Sequence, residues 1–202
     1  MNRFNPTRNE TNLLYTLKNF FITGPPRAGK TTLLKRIMQT LREHNIKLAG
    51  ILCPEVRVNN RRWGFKIIDL KTSREGILAS IEIPKGPKIS KYRVNVVDLE
   101  EVGVKALQNA LRDESEVVIV DEIGKMELVS ENFSHTVKQL LDSDKILLGI
   151  IPARYTHPLL SEIRRRRDTK IYWIGRETPA SIRQKIHDEI VEIILKRLKK
   201  NA

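Results

Sequence analysis

The 202-residue chain has a single cysteine, Cys53, and only four histidines, His44, His135, His157 and His187, scattered along its length. One thiol cannot close an internal disulfide, and this scatter lacks the paired spacing of a zinc site, so any metal is expected to arrive with a substrate. No apolar run approaches the roughly 18 to 20 residues of a bilayer span. The basic opening MNRFNPTRNETNLLYTLK has no continuous apolar stretch before a small-residue cleavage site. Neither a membrane partner nor secretion is expected, and the reading is a cytoplasmic monomer. Acidic residues are in deficit: 24 Asp and Glu face 37 Lys and Arg, a formal net charge of +13. That balance attracts anions without choosing among nucleoside triphosphates, anionic lipid and nucleic acid, and it leaves weak nucleic-acid binding through a basic surface open.

Repeats and low-complexity tracts are also absent, and past about residue 19 compact apolar runs alternate with amphipathic stretches, the pattern of an α/β fold. Asn19 to Thr23, Val117 to Val120, Ile146 to Ile151 and Ile171 to Ile174 read as buried strands of a mostly parallel sheet covered on both faces. Three helical stripes fall between them. The first is Leu33, Leu34, Ile37, Met38 and Leu41. The second is Val102, Ala106, Leu107, Ala110 and Leu111, opened by Asp98 and Glu101 as a capping box, and the third is Phe133, Val137, Leu140 and Leu141. A last helix is expected with Thr178 as N-cap, Pro179 at its first position and Ile182, Ile186, Ile190, Ile193 and Ile194 on one face.

From Glu55 to Ile83 the period changes. Val56 and Val58, an Asn59-Asn60 turn and then Trp63 to Leu70 predict an antiparallel hairpin or meander inserted beside the sheet edge. Pro84 to Pro87 reads as a loop. Residues 1–18 read as an extension or edge element before a domain over 19–200, and Trp63 and Trp173 as packing residues.

The chemistry concentrates in two places. Gly24-Pro25-Pro26-Arg27-Ala28-Gly29-Lys30-Thr31 satisfies G-x-x-x-x-G-K-[ST] between an apolar strand and an amphipathic helix. Such a loop wraps phosphate oxygens with backbone N–H groups at the positive end of a helix. Lys30 would reach the β- and γ-phosphates and the Thr31 hydroxyl would ligate Mg²⁺. The second place is the end of the strand Val117 to Val120, which delivers Asp121 and Glu122. Asp121 would hold Mg²⁺, while Glu122 is placed to orient or deprotonate a water. Glu122 must leave strand geometry to reach the γ-phosphate, since neighbours on a strand point to opposite faces, and Gly124 permits the bend.

The run Val120 to Leu128 (VDEIGKMEL), together with GPPRAGKTT, resembles the small P-loop nucleoside-triphosphatase family first associated with thermophiles and also represented in human cells. Pro54-Glu55-Val56-Arg57, then Arg62-Trp63-Gly64-Phe65, then Lys91-Tyr92 before Val94-Asn95-Val96 resemble further segments of that family in the same order, so the likeness spans roughly residues 19 to 195. It implies a three-layer P-loop NTPase fold and Mg²⁺-dependent hydrolysis of nucleoside triphosphates to diphosphate and phosphate, slow and tolerant of the base. Carried over by residue, it implies that the loop from Gly24 to Thr32, with Asp121, Glu122 and Lys125, lines the reaction centre. The chain departs from the family in having Arg27 where members usually have Gly, and Gly175-Arg176 where they have Asn-Arg.

Four single arginines and one arginine run remain as candidates. Arg27 points to solvent or adds a cation near the phosphates. Arg57 and Arg62, on the inserted hairpin, are either solvated or fork onto phosphate oxygens, and the resemblance tilts them toward catalysis. Arg176 is placed to stack on a base. The run Arg164 to Arg167, after a short helix from Pro158, is either a solvated face or a mobile lid over the γ-phosphate. Two other functions share these features: a P-loop kinase with a nucleotide or polynucleotide acceptor, and a nucleic-acid-binding module switched by nucleotide. Glu directly after Asp121 leans toward hydrolysis.

Overall fold

The computed structural model describes residues 16–201. In chain order the elements are β1 (Asn19–Thr23), α1 (Lys30–Glu43), β2 (Leu48–Leu52), β3 (Glu55–Val58), β4 (Arg61–Asp69), β5 (Glu75–Ser80), β6 (Lys88–Ile89) and β7 (Tyr92–Val94). A helical turn at Val96–Asp98 and a π-helical stretch at Leu99–Val104 lead into α2 (Lys105–Arg112). There follow β8 (Val117–Asp121), α3 (Glu131–Asp142), β9 (Ile146–Ile150), α4 (Pro158–Arg165), β10 (Thr169–Trp173) and α5 (Ala180–Asn201).

The strands form one sheet in the order β10-β1-β9-β8-β2-β4-β5-β7-β6, with β3 pairing β4. From β10 to β2 every pairing is parallel, and from β2 onward every pairing is antiparallel. The central parallel strands β1, β8 and β9 are buried throughout, so successive residues feed two cores. Val118 and Val120 join a core with Leu107, Phe133 and Leu160, while Val117 and Ile119 join one with Leu34, Ile37 and Ile190. The result is three layers, with α1 and α5 on one face and α2, α3 and α4 on the other. The parallel strands all end on one edge, which gathers the segments after β1 and β8 into one place.

The inserted antiparallel meander lies at the sheet edge as expected and extends the sheet from β2. Asn59 and Asn60 both take positive φ, 48° and 61°, as the tight β3–β4 turn requires. Of the proposed N-terminal extension, residues 1–15 lie outside the described residues, while Leu17 is buried and Lys18 N–H donates to Asp168 O.

Several local readings are corrected. The helix near Asp98 starts earlier, because Asn95 is the cap that accepts from Asp98 N–H, and the Asp98 carboxylate instead takes the Ile77 N–H at 2.7 Å. The Thr178 hydroxyl accepts from Gly175 N–H at 2.7 Å, and α5 begins at Ala180, after Pro179. Ile182 is exposed in the first turn of α5, and Trp173, 59% exposed, is no packing residue. Within the arginine run, Arg164 donates to Pro152 O at 2.8 Å and Tyr155 O at 3.3 Å in the segment after β9, and Arg166 does not stand over the loop. α4 is a crossover helix, and Arg166 at its end forks onto Asp168 and reaches Asp142. That end of the sheet, where Asn19 pairs Thr169, is opposite the phosphate loop.

Candidate active site

The loop between β1 and α1 is held in shape by its glycines. Gly24, at φ 148°, lies so close to the next strand that a Cβ would fall 1.9 Å from Ile174 O. Gly29 caps α1 at φ 83°, the left-handed conformation in which a Cβ is costly. Arg27 takes the same region at φ 62° with a full side chain, and it lines the spaces on both sides of the loop. The first turn of α1 carries no acidic residue and no capping side chain, so its N–H groups stay open to an anion. Lys30 folds back into the loop and donates to the carbonyls of Gly24 and Pro25, both at 3.0 Å.

β8 runs beside β9, which pairs β1, and this places Asp121 against the first turn of α1. The Thr31 hydroxyl donates to Asp121 Oδ1 at 3.4 Å. Two hard oxygen donors side by side, one of them a carboxylate, suit a divalent cation that keeps water and phosphate oxygens as its other ligands. The Asp121–Glu122 peptide is cis. Glu122 lies between two spaces. One, of about 300 Å³, is lined by Pro26 to Thr32 and Glu122. The other, of about 550 Å³, is lined by Asp121, Glu122, Lys125, Glu127 and the start of the antiparallel extension.

Burial dominates the electrostatics. It pushes Asp121 up to about 6, against the Thr31 hydrogen bond, and raises Glu122, which the Asp121 charge raises further. Glu127 is 3% exposed and is pushed up to about 8, by burial first and then by the Glu122 charge. Cys53 is raised well above the usual thiol range by burial and by Glu127. Glu127 is absent from the sequence-based candidates. Its Oε2 accepts the Gly124 N–H at 3.0 Å and so ties down the turn that carries Glu122. Its place inside the run Val120 to Leu128 was the available signal.

The other cations divide. Lys125 lines the larger space, its Nζ 5.0 Å from the centre of the Tyr155 ring. Arg176 comes to the loop, its Nε donating to Pro26 O at 3.3 Å. Arg57 and Arg62 line neither space, because both guanidiniums pair with Glu55, which does line the larger one. Arg183, unmarked by sequence reasoning, donates to Ala28 O at 2.6 Å, Gly175 O at 2.8 Å and Thr178 O at 3.0 Å. It fastens the phosphate loop to the loop that carries Arg176.

A family model described as NTPase matches residues 19–191. The chain is 36% identical over 173 residues to the nucleoside-triphosphatase THEP1 of Methanothermobacter thermautotrophicus, which covers 86% of this chain and 94% of the relative. Among solved structures, THEP1 from the hyperthermophile Aquifex aeolicus aligns with a TM-score of 0.73 at 33% identity, covering 87% of this chain and 98% of that one. A human cancer-related nucleoside triphosphatase aligns with a TM-score of 0.71 at 31% identity, covering 87% and 97%. With the phosphate loop, the strand-end carboxylates and the antiparallel extension all inside the matched span, the chain belongs to the NTPase family.

Proposed function

We propose that this chain hydrolyses nucleoside 5′-triphosphates, ATP, GTP, CTP and UTP alike, to the diphosphate and inorganic phosphate in the presence of Mg²⁺, through one domain over residues 19–200. The observation that carries the reading is the meeting of the open α1 N-terminus, Lys30, Thr31 and Glu122 around one pocket, with Asp121 hydrogen-bonded to Thr31 beside it.

Loop N–H groups from Gly24 to Thr32 cradle the phosphates, and Lys30 exchanges its two carbonyl acceptors for β- and γ-phosphate oxygens. Thr31 and Asp121 would hold Mg²⁺, which when bound neutralises charge on those oxygens. Glu122 orients a water toward the γ-phosphorus and takes its proton as the new bond forms and the bond to the bridging oxygen breaks. Lys125, which lines the larger space beside Glu122, adds positive charge near the leaving phosphate. Arg176 stacks on the base, a contact indifferent to which base is present. Arg27 adds a cation over the loop. Arg57 and Arg62 act only if Glu55 releases them.

The test is free phosphate released from the four triphosphates, with and without Mg²⁺, by wild type and by Glu122→Gln. Comparable Mg²⁺-dependent release from all four, lost in a variant that still binds nucleotide, is expected. A wild-type protein that binds nucleotide and releases nothing overturns the proposal.

A further inference from the structure

Glu122 and Thr31 border both spaces at the site, the phosphate pocket on one side and the larger chamber on the other. Hydrolysis needs only a water from the chamber side, and a water occupies about 30 Å³ of liquid. The chamber holds about 550 Å³. That lies within the range of roughly 300 to 1,000 Å³ typical of small-molecule sites.

Its far walls are apolar. Phe65 of β4, Leu78 of β5, Ile89 of β6 and Met126 come from the antiparallel extension and from the turn after β8. No strand of the extension contributes to the phosphate pocket. The extension therefore encloses a volume that continues past Thr31, Asp121 and Glu122, beyond the phosphate pocket. The charged lining is Glu55, Asp121, Glu122 and Glu127 against Lys35 and Lys125. Arg57 and Arg62, the nearest further cations, are engaged by Glu55. A phosphorylated occupant would find no free guanidinium in this lining to fork onto it, whereas a neutral molecule with an apolar body and a hydroxyl fits the walls.

We propose that the chamber is an acceptor site for an uncharged alcohol of up to nucleoside size, and that the protein transfers the γ-phosphoryl group to it. The inference rests on the reading above, in which the loop holds the triphosphate and Glu122 is the base. The hydroxyl oxygen bonds to the γ-phosphorus and its proton passes to Glu122. The bond from the γ-phosphorus to the bridging oxygen breaks, its electron pair leaving on the nucleoside diphosphate, and the product is a neutral-bodied phosphate monoester. Hydrolysis is the same reaction with water in the chamber.

The experiment follows ATP turnover by phosphorus NMR with methanol, benzyl alcohol or uridine at equal molar concentration. It reads the ratio of phosphate ester to inorganic phosphate, normalised to the ratio of alcohol to water. This partition is internal to each reaction, so it does not depend on the total activity of a variant. Benzyl alcohol or uridine should exceed methanol by about tenfold or more, equivalent to ~1.4 kcal/mol of preferential binding. Uridine 3′-monophosphate, with the same free hydroxyl and an added negative charge, should show no excess. Ile89→Trp at the chamber rim and Leu78→Phe in its wall should each lower the excess toward the methanol value. Partition no better than methanol for both larger alcohols, an excess that survives both substitutions, or equal transfer to the charged nucleotide would overturn the proposal. Absence of phosphate release in plain buffer would instead overturn the hydrolytic reading.

Discussion

Replacing Gly124 by alanine should slow turnover about a hundredfold while leaving nucleotide affinity and the fold nearly unchanged. A Cβ built at Gly124 falls 2.5 Å from Glu122 Oε1 and 2.9 Å from Glu127 Oε2. Carbon and oxygen approach ordinarily to about 3.3 Å, so the Glu122 carboxylate has to retreat by nearly 1 Å. Gly124 is not among the residues at positive φ, so its backbone accepts alanine without strain. Both obstructing atoms are the ends of flexible side chains, which makes the move inexpensive for the fold and expensive for a base that must meet a water in line with the γ-phosphorus. A misplacement of about 1 Å at a reacting group costs on the order of 100-fold, or ~2.7 kcal/mol in the barrier. Gly124 does not line the phosphate pocket, so KM should stay within about twofold. Initial rates against ATP concentration, with nucleotide binding measured by calorimetry, check both halves. The double variant with Glu122→Gln supplies the control, because alanine should cost nothing further once the base is gone. A kcat within about threefold of wild type, or a full additional loss in the Glu122→Gln background, would refute the reasoning.

Lys30→Ala should lower both nucleotide affinity and kcat, with kcat/KM falling by about 100-fold or more, since a cation on the γ-phosphate acts in ground and transition states alike; unaffected kinetics would remove the loop as the phosphate site. Arg183→Ala should raise KM about tenfold, because three carbonyls on two loops lose one shared donor. Arg183→Lys should recover only part of this, an ammonium being unable to fork across three acceptors, and full recovery by lysine would show that charge alone matters there. The stability of the nucleotide-free protein should fall as pH rises from about 6 to about 8.5. The Glu127 carboxyl is protonated in the fold below about 8 and ionised in the unfolded chain throughout that window, so the native state binds the extra proton. Thermal unfolding of Glu127→Gln across the same range should have a flatter slope than wild type, and an identical slope would show that Glu127 does not carry the effect.

What the sequence revealed and what it withheld divide along a physical line. The phosphate loop was legible because its chemistry is local: two glycines, a lysine and a threonine at fixed separations make the turn and start the helix with no help from distant residues. The helical stripes and buried strands were legible for the same reason, since periods of 3.6 and 2 are properties of consecutive residues. The positions misread depend on what lies across the fold. Asp98 resembled a cap and instead takes a backbone N–H from β5. Arg166 resembled a lid cation and is instead tied to Asp142 and Asp168, far from the loop. Arg183 left no trace in the sequence because its three partners are backbone carbonyls, and carbonyls have no residue identity. Glu127 stood within a recognised run, yet nothing in its spacing said that it would be buried beside Glu122 with the Gly124 N–H as its donor. Charge count was the least informative signal. A surplus of 13 cations says that anions are attracted, and only the tertiary structure separates arginines that already have carboxylates from those that stand at the loop. The same separation makes the chamber legible. Arg57 and Arg62 would make it a phosphate-binding space if they faced inward, and by pairing with Glu55 they leave it without a free guanidinium, walled by Phe65, Leu78, Ile89 and Met126 and suited to a neutral acceptor.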